Sequence, residues 1–399
     1  MIVSRAERHI INKKHTLYNF IDEYCFKSKS LYNKANYVLR HLLFDNKNIY
    51  SYYEMNKIFK EWEEYKSMMA QSSQQILKLL EKNWKSYFET MKIYKKNPDK
   101  FTGKPKLPKY KDKDGRFIAK FTNQNCKLKN GYIQFPKVFN KYLLKTKING
   151  KLKELRMIPR NSQYVLEIIY NIDVAIKDDN GRYIGIDIGI DNLATISSNV
   201  IKPIIINGKG LKSINQYYNK TISHYKSIAN IVNKLYYTKR LHKITNKRNN
   251  KIDDYLHKAS KKIVDIAINN NINTLIIGYN KDWKRNVNIG KVNNQKFVNI
   301  PFVKFIDMIK YKSENVGITV KLTEESYTSG TSFLDRELPV QDNYNKKRRV
   351  KRGLFKSNNG KLINSDVNGS LQIIKKVVCD VFNQHIEDLV LNPVKINIF

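Results

Sequence analysis

The sequence predicts a multidomain α+β protein that contains a helical lobe, a small β-barrel and an α/β domain. Its length of 399 residues exceeds that of one average domain. Apolar residues recur at helical spacing over most of residues 15–97, whereas residues 98–177 contain short alternating runs separated by turn residues. Strand and helix patterns are mixed from residue 178 onward, which is typical of an α/β domain.

The first 97 residues are predicted to form one strand followed by the helical lobe. Residues 1–14 have the pattern of a strand that enters a turn, and we assign this strand to the β-barrel. Residues 15–97 form the helical lobe in two stretches, the second of which covers about 53–96. The apolar positions that define the first stretch are Leu17, Phe20, Ile21, Tyr24, Leu31, Tyr32, Ala35, Val38, Leu39 and Leu42.

Residues 98–177 are predicted to form the small β-barrel. A helix cannot continue through the basic segment 103–108 (GKPKLP), because proline lacks the backbone N–H that a helix needs. Short strands follow this segment, and the clearest covers residues 164–172, where apolar side chains alternate between two faces. Asn-Gly turns separate the strands, so this part of the chain has the signals of a small, all-β unit.

The α/β domain is predicted in two parts, residues 178–325 and 363–399, with a basic insertion at 326–362 between them. Three strands follow one another closely at its start, as in an antiparallel meander. In order, the predicted elements are strands at 183–189, 193–197 and 203–206, a helical region at 213–269, a strand at 275–277, a helix at about 301–315, a strand at 318–322, and a final helix that begins near Asp366.

The charge balance predicts a polyanionic partner. The chain carries 74 Lys plus Arg against 35 Asp plus Glu, a formal net charge of +39. Such an excess destabilises a folded chain by self-repulsion unless a polyanion neutralises it, and nucleic acid is the partner that fits best. The 26 tyrosines are interleaved with lysine in several places, which suits base stacking beside phosphate contacts. The alternatives are a solvated basic surface and a protein of the membrane surface.

Composition excludes several other classes of protein. A hydrophobic fraction of 41% excludes a disordered tail, and no apolar run is long enough to span a bilayer. Cys25, Cys126 and Cys379 are far apart, so neither a disulfide scaffold nor a cysteine-built zinc site is expected. The N-terminus lacks the apolar segment of a secretion signal, and we expect a cytosolic protein.

Two acids stand at informative positions in this basic chain. Asp187 lies on a strand face between Gly185 and Gly189, and the missing side chains leave room for a backbone or a phosphate beside it. Asp366 begins a helix with an apolar stripe, and Gly369 keeps the adjoining helix face shallow. Taken alone, Asp366 is better explained as an ordinary acidic residue at a helix start than as a site residue.

Together these segments resemble the RuvC-type, RNase H-like nuclease domain of the transposon-encoded TnpB family, whose members are relatives of type V CRISPR effectors. The resemblance extends over nearly the whole chain. The segments that carry it are residues 185–195 (GIDIGIDNLAT), 254–260 (DYLHKAS), 366–370 (DVNGS), 30–37 (SLYNKANY) and 103–111 (GKPKLPKYK).

The resemblance implies metal-dependent cleavage of a phosphodiester. In the family, three carboxylates bind two divalent ions, which activate water and neutralise charge on the attacking and leaving oxygens. Mg²⁺ suits such a site because it prefers oxygen ligands and retains several waters. By position, Asp187 matches the first carboxylate and Asp366 the third.

The second carboxylate of the family is missing from its usual place. It is a Glu at the end of the fourth strand, where this chain has Gly278. One interpretation is an inactive nuclease that still binds nucleic acid. We favour a relocated acid, Glu324 or Glu325, at the end of the next strand, because adjacent strands lie about 4.8 Å apart. Glu324 continues the face of the preceding apolar residues and Glu325 lies beyond it; we give a slight preference to Glu325 as catalytic residue and metal ligand.

A four-cysteine zinc module is common in the family between this strand and the last helix. The corresponding segment here contains no cysteine, so structural zinc is not expected. Residues 346–361 instead hold eight Lys or Arg and no acid, which predicts either a basic flap that holds nucleic acid or a solvated loop. The candidate nucleic-acid contacts in this segment are Arg348, Arg349, Lys351 and Arg352.

The leading functional hypothesis is an RNA-guided DNA endonuclease of a mobile element. The resemblance implies a guide RNA and a target DNA with a short flanking motif as partners, because guide pairing supplies sequence specificity in this class. It also implies two divalent ions as cofactors. The alternatives are a nuclease-inactive, RNA-guided repressor and a general nucleic-acid-binding protein. Candidate backbone contacts in the basic loop are Lys104, Lys106, Lys109 and Lys111.

Overall fold

The computed structural model describes residues 1–136, 139, 142–280, 290, 299–382 and 390–398. The chain divides into two compact units. One unit is Ile2–Asp173, and the other comprises Met1 and Val174–Phe399. Among the helices within the described ranges, none is both long and apolar enough to cross a membrane.

The unit Ile2–Asp173 combines the predicted helical lobe with two β-sheets. Its long helices α1 and α4 have apolar faces that are buried in one shared core with the strands. The elements are β1 (Ile2–Ile11), α1 (Tyr18–Phe44), α2 (Tyr52–Phe59), α3 (Glu63–Lys66), α4 (Ala70–Lys96), β2 (Ala119–Thr122), β3 (Lys127–Lys129), β4 (Tyr132–Gln134), β5 (Leu143–Lys145), β6 (Lys151–Arg160) and β7 (Gln163–Asp173).

The predicted β-barrel is not found among the described strands, which form two open sheets instead. One sheet has the antiparallel order β1-β7-β6-β2 and the other the order β3-β4-β5. As predicted, the N-terminal strand belongs to this β unit. The barrel prediction was wrong because α1 and α4 pack on the larger sheet. Trp84 of α4 and Phe121 of β2 are buried in the same core, so helices cover the apolar face that closure would have buried.

The second unit contains a mixed sheet with helices on both faces. Its helical region is divided, because Lys234 adopts a left-handed conformation that ends one helix before the next begins. The elements are β8 (Tyr183–Asp187), β9 (Asn192–Ser198), β10 (Ile204–Asn207), α5 (Lys209–Asn233), α6 (Lys239–Asn269), β11 (Thr274–Gly278), α7 (Phe302–Glu314), β12 (Thr319–Thr323), β13 (Arg349–Lys351), β14 (Leu354–Lys356), β15 (Leu362–Asn364), α8 (Ser365–Val377) and β16 (Val394–Ile396).

The large sheet has the order β12-β11-β8-β9-β10-β16. Strands β8, β9 and β10 form the predicted antiparallel meander, which the pairing confirms. Strand β11 runs parallel to β8, and β12 runs parallel to β11. The carboxyl ends of β8, β11 and β12 therefore meet at one edge, the position at which open α/β sheets bind their ligands. Helix α8 packs on one face of this sheet, whereas α6 and α7 pack in the core on the other face.

The segment predicted as a basic insertion is folded. Strands β13, β14 and β15 pair into a small antiparallel sheet. Phe355 of β14 and Ile363 of β15 are buried against Val367 and Leu371 of α8. A hydrophobic contact therefore fixes this segment to the last helix.

Candidate active site

Asp187 is the last residue of β8 and lies against helix α8. A Cβ added to Gly185, two residues earlier on the same face, would collide with the carbonyl oxygen of Ser370 in α8. A Cβ added to Gly369 would lie 3.0 Å from the Asp187 Oδ2 atom. The glycines in the two sequence motifs thus allow strand and helix to approach closely, and they leave the Asp187 carboxylate beside the helix backbone.

Asp366 is fixed at the start of α8 by two asparagines. The side chain of Asn364 caps the helix and accepts hydrogen bonds from the backbone N–H groups of Asp366 (3.0 Å) and Val367 (3.2 Å). The Asn192 amide, at the start of β9, donates to Asp366 Oδ2 over 2.8 Å. Sequence reasoning did not assign a role to Asn192, although it lies in the motif with Asp187.

Strand register determines which of the two glutamates lies near Gly278. Gly278 pairs with Thr323 of β12, and side chains alternate along a strand. A Cβ on Gly278 would meet Ile373 of α8, so Gly278 and Thr323 lie on the α8 face of the sheet. Glu325 continues this face and Glu324 the opposite one. Glu324 is exposed to solvent.

The Glu325 carboxylate occupies the space that the missing side chain of Gly278 leaves. A Cβ on Gly278 would lie 2.6 Å from Glu325 Oε1. Asn280 holds the glutamate twice: its Oδ1 accepts from the Glu325 N–H (2.9 Å) and its Nδ2 donates to Oε2 (3.2 Å). The other oxygen, Oε1, is buried without a hydrogen-bond partner. An orphaned carboxylate oxygen of this kind is costly unless a cation or a proton compensates it.

The pKa values of Asp187 and Glu325 are both raised, so the nearby cations do not fully compensate their negative charge. Burial raises the pKa of Asp187 well above its usual value, the negative charges of Glu325 and Asp366 raise it further, and Arg349 lowers it. Burial raises the pKa of Glu325 to about 7. Both other carboxylates thus raise the pKa of Asp187, and Asp187 and Glu325 favour protonation or a bound cation.

A pocket of about 490 Å³ lies in front of Asp187 and Asp366. Its lining also includes Arg349 and Arg352, from the sheet β13–β15, while Glu325 is not among its described lining residues. Within the described ranges, no group of three His, Cys, Asp or Glu side chains is arranged to hold a metal ion as placed. The pocket thus combines two of the predicted acids with two of the predicted cations.

Asp191 organises the basic side of this pocket. Its carboxylate bonds to both Lys212 of α5 and Arg352. Its backbone carbonyl accepts from the Gly208 N–H (2.8 Å), which fixes the turn between β8 and β9. Sequence reasoning missed Asp191, because its partners come from segments far apart in the chain.

The structure separates the four predicted cations of the basic segment. Arg349 and Arg352 line the pocket, and Lys351 is exposed beside them. Arg348 instead forms an ion pair with Glu337 (2.5 Å) and donates to Asn358 (2.8 Å). Its guanidinium is therefore already occupied within the protein.

The four predicted lysines of the basic loop lie in the unit Ile2–Asp173. Lys104, Lys106 and Lys109 are exposed, and the Lys111 ammonium lies 4.7 Å from the centre of the Phe117 ring. Asn33 of α1 holds the loop, because it exchanges two 2.8 Å hydrogen bonds with the backbone of Lys111. Lys106, Lys109 and Lys111 line a shared pocket of about 310 Å³.

Comparisons with known proteins agree with the resemblance. The family model OrfB_IS605, described as a probable transposase, matches residues 168–284, and the Cas12f1-like TNB domain model matches residues 302–373. None of the curated proteins matches the chain.

Two solved structures are similar to the chain over most of its length. A Cas12f1–sgRNA–target DNA complex has a TM-score of 0.53 and 16% identity, with coverage of 90% of this chain and 82% of that chain. The mini-RNA-guided endonuclease Cas_phi3 has a TM-score of 0.47 and 10% identity, with coverage of 94% and 92%.

The fold is thus a mixed α+β, multidomain fold similar to that of Cas12f1. The two family models together include Asp187, Gly278, Glu325 and Asp366. Residues 168–284 and 302–373 are thus similar to these two families.

Proposed function

We propose that the chain is an RNA-guided DNA endonuclease whose metal ligands are Asp187, Glu325 and Asp366. The observation that carries this proposal is the Glu325 carboxylate, which fills the space beside Gly278 and leaves one buried oxygen without a partner. Glu325 would then replace the acid that the family places at the position of Gly278, whereas the exposed Glu324 would not take part.

The residues present fit divalent cations. All three acids offer oxygen ligands, which Mg²⁺ prefers, and few protein ligands suffice because Mg²⁺ retains several waters. The raised pKa values of Asp187 and Glu325 fit a site that takes up cations in exchange for protons. Two divalent ions held there would activate a water and neutralise charge on the phosphodiester.

The remaining groups of the site would orient the acids and the substrate. Asn192 holds the Asp366 carboxylate and Asn280 holds that of Glu325, as outer hydrogen bonds commonly do for metal ligands. Arg349 and Arg352 line the pocket from the sheet β13–β15 and would bind phosphate oxygens, for which the guanidinium fork is well suited. Asp191 would keep Arg352 in position.

The other parts of the chain would bind the guide RNA and the target DNA. We propose a RuvC-like nuclease domain from residues 178–325 and 363–399, with the helical lobe and the β unit as the binding parts. Lys104, Lys106, Lys109 and Lys111 would contact backbone phosphates, and the net charge of +39 supplies the general attraction. The Cas12f1 structure to which the chain is similar is a complex with sgRNA and target DNA.

The segment 326–362 would fold without zinc. It contains no cysteine, and the buried contact of Phe355 and Ile363 with α8 would stabilise it in place of a metal ion. Lys351, Arg349 and Arg352 would then be presented to nucleic acid by a folded sheet.

A second candidate is a nuclease-inactive, RNA-guided DNA-binding repressor. Two observations favour it: no described group of three acidic, His or Cys side chains is arranged around a metal position, and Glu325 is not among the lining residues of the pocket. Such a protein would keep the nucleic-acid contacts and lose cleavage.

One assay separates the candidates. The protein is purified with its co-expressed RNA and offered DNA that matches or does not match the guide, with Mg²⁺ or with EDTA. The endonuclease cuts only matching DNA and only with Mg²⁺. Guide-dependent retention without cuts would show the repressor, and equal binding of both DNAs would contradict guided recognition altogether.

A further inference from the structure

The hairpin of helices α5 and α6 has an unusual distribution of charge. No acidic residue occurs from Lys209 to Ile252 of this hairpin, whereas these residues include eleven Lys and Arg. Surface helices normally mix both signs of charge along their exposed faces. A continuous acid-free stretch of this length therefore presents a strongly positive surface.

The tip of this hairpin, residues 231–238 at the end of α5 and in the turn before α6, exposes aromatic and aliphatic side chains. Tyr236 is 77% exposed, Tyr237 is 71% exposed and Ile231 is 78% exposed. The two tyrosines border a pocket of about 430 Å³ whose other lining includes Lys226 and Asn230. The pocket thus offers ring faces, a cation and amide hydrogen-bonding groups, the combination that a nucleotide requires.

The charge at the tip argues against a second copy of the chain as the occupant. A symmetric contact would place Lys226, Lys234 and Arg240 of two copies next to each other with no acid to compensate them. A polyanion gains from the same charges, because its phosphates release counterions on binding. The exposed tyrosine rings can then stack on the bases of the same strand. Stacking removes apolar ring surface from water, which favours binding.

The tip is a separate surface from the pocket in front of Asp187 and Asp366. Lys209, the first residue of α5, lines that pocket, and the tip follows the end of this 25-residue helix. At 1.5 Å per residue the helix is about 37 Å long. At about 3.4 Å per step, this length corresponds to roughly eleven nucleotide steps of a duplex.

We propose that the tip of the α5–α6 hairpin binds an unpaired nucleic-acid strand, with bases on Tyr236 and Tyr237 and phosphates on Lys226 and Arg240. Arg240 is already held near the tip, because its guanidinium lies 3.8 Å from the centre of the Tyr225 ring. Stacking on an aromatic ring tolerates any base, because every base has a flat face. The strand is RNA or DNA, since both offer bases and phosphates.

Photocrosslinking in the full ribonucleoprotein tests the location directly. One sample carries 5-iodouridine in the RNA, and the other carries 5-iododeoxyuridine in single-stranded or unwound target DNA. We expect a crosslinked peptide that contains Tyr236 or Tyr237 in one of the two samples, which also identifies the strand. Crosslinks elsewhere on the protein and none at the tip in either sample would overturn the proposal.

Binding measurements with substituted proteins test the chemistry. The double variant Tyr236→Ser/Tyr237→Ser should bind an unpaired oligonucleotide of the crosslinked type at least about thirtyfold more weakly, because two stacking faces are lost. Tyr217→Ser is the matched control, since Tyr217 is 71% exposed on α5 outside the tip, and it should leave the affinity unchanged. Equal losses in the double variant and the control would contradict stacking at the tip.

Sedimentation of the wild-type protein excludes the other occupants. A dimer that the double tyrosine variant abolishes would show that the tip binds a second copy, and the proposal would fall. The crosslink does not require cleavage. A crosslink at the tip supports this proposal even if the protein does not cut DNA, and cleavage without a crosslink contradicts it while leaving the proposed nuclease activity intact.

Discussion

Replacing Glu325 by Gln should change how the stability of the metal-free protein depends on pH. The folded protein holds the proton of this carboxyl more tightly than the unfolded chain does, because burial raises its pKa from 4.5 to about 7. Between these two values the folded state binds more protons than the unfolded state. The contribution of Glu325 to the free energy of unfolding therefore falls as the pH rises from about 4.5 to about 7, and it is constant above that.

The size of this effect follows from the pKa difference of about 2.5. At 1.36 kcal/mol per pH unit it corresponds to about 3 kcal/mol, and partial contact of the side chain with solvent reduces this to about 1–2 kcal/mol. Gln fits the same space and can still accept the hydrogen bond from Asn280, but it does not titrate. The Gln variant should thus equal the wild type near pH 5 and exceed its stability by about 1–2 kcal/mol near pH 8.

Urea unfolding in EDTA at several pH values measures this difference. Glu324→Gln is the matched control, because it removes the same carboxyl from an exposed position one residue away, and its curve should parallel that of the wild type. Added Mg²⁺ should stabilise the wild type at pH 8 and have a smaller effect on Glu325→Gln. Parallel wild-type and Glu325→Gln curves from pH 5 to pH 8 would refute the reasoning.

Three further substitutions test the surroundings of the site. Gly278→Ala places a Cβ 2.6 Å from Glu325 Oε1. The variant should lose about 1–3 kcal/mol of stability in urea unfolding and should need more Mg²⁺ for cleavage. An unaltered Mg²⁺ dependence would contradict the contact. Asp191→Asn should change stability by less than about 1 kcal/mol, yet slow single-turnover cleavage severalfold because Arg352 loses its anchor; an unchanged rate would exclude that role. Arg348→Ala should lower the free energy of unfolding by about 2 kcal/mol, because Glu337 stays largely buried without its partner. Arg352→Ala should reduce the slope of log affinity for DNA against log salt concentration by about one, whereas Arg348→Ala should leave this slope unchanged. Equal reductions in both variants would contradict the distinction between the two arginines.

The parts of the fold that local pattern specifies could be predicted from the sequence. The meander β8–β10 follows from short alternating runs separated by turns, and the structure confirms it. The room beside Asp187 also follows from local sequence, because Gly185 and Gly369 carry no side chain, and the structure places the α8 backbone in that space. Both signals lie within short segments, so they need no knowledge of distant partners.

Features that depend on distant pairing could not be predicted. The barrel prediction was wrong because an alternating pattern shows only that one face of a sheet is buried. Helices that cover this face and closure of the sheet into a barrel both bury it, so the pattern does not distinguish them. Strand β16 pairs with β10 from almost 200 residues away, and nothing in its three residues specifies that register. Arg348 looks like its basic neighbours in the sequence, and only the folded chain shows that Glu337 binds it.

The position of Glu325 lies between these two cases. The sequence indicated that an acid after β12 could reach across Gly278, but it gave only a slight preference for Glu325 over Glu324. The choice depends on which face of the sheet α8 covers, and the pairing of Gly278 with Thr323 supplies that information. The catalytic role of Glu325 remains a prediction that cleavage must test.

Single-turnover cleavage of guide-matched DNA by Glu325→Gln and Glu324→Gln, with Mg²⁺ and equal occupancy by RNA, tests the relocated ligand most directly. Removal of a metal ligand should slow cleavage by at least about a hundredfold in Glu325→Gln, while Glu324→Gln should cut at the wild-type rate. Cleavage by Glu325→Gln at the wild-type rate would contradict the account.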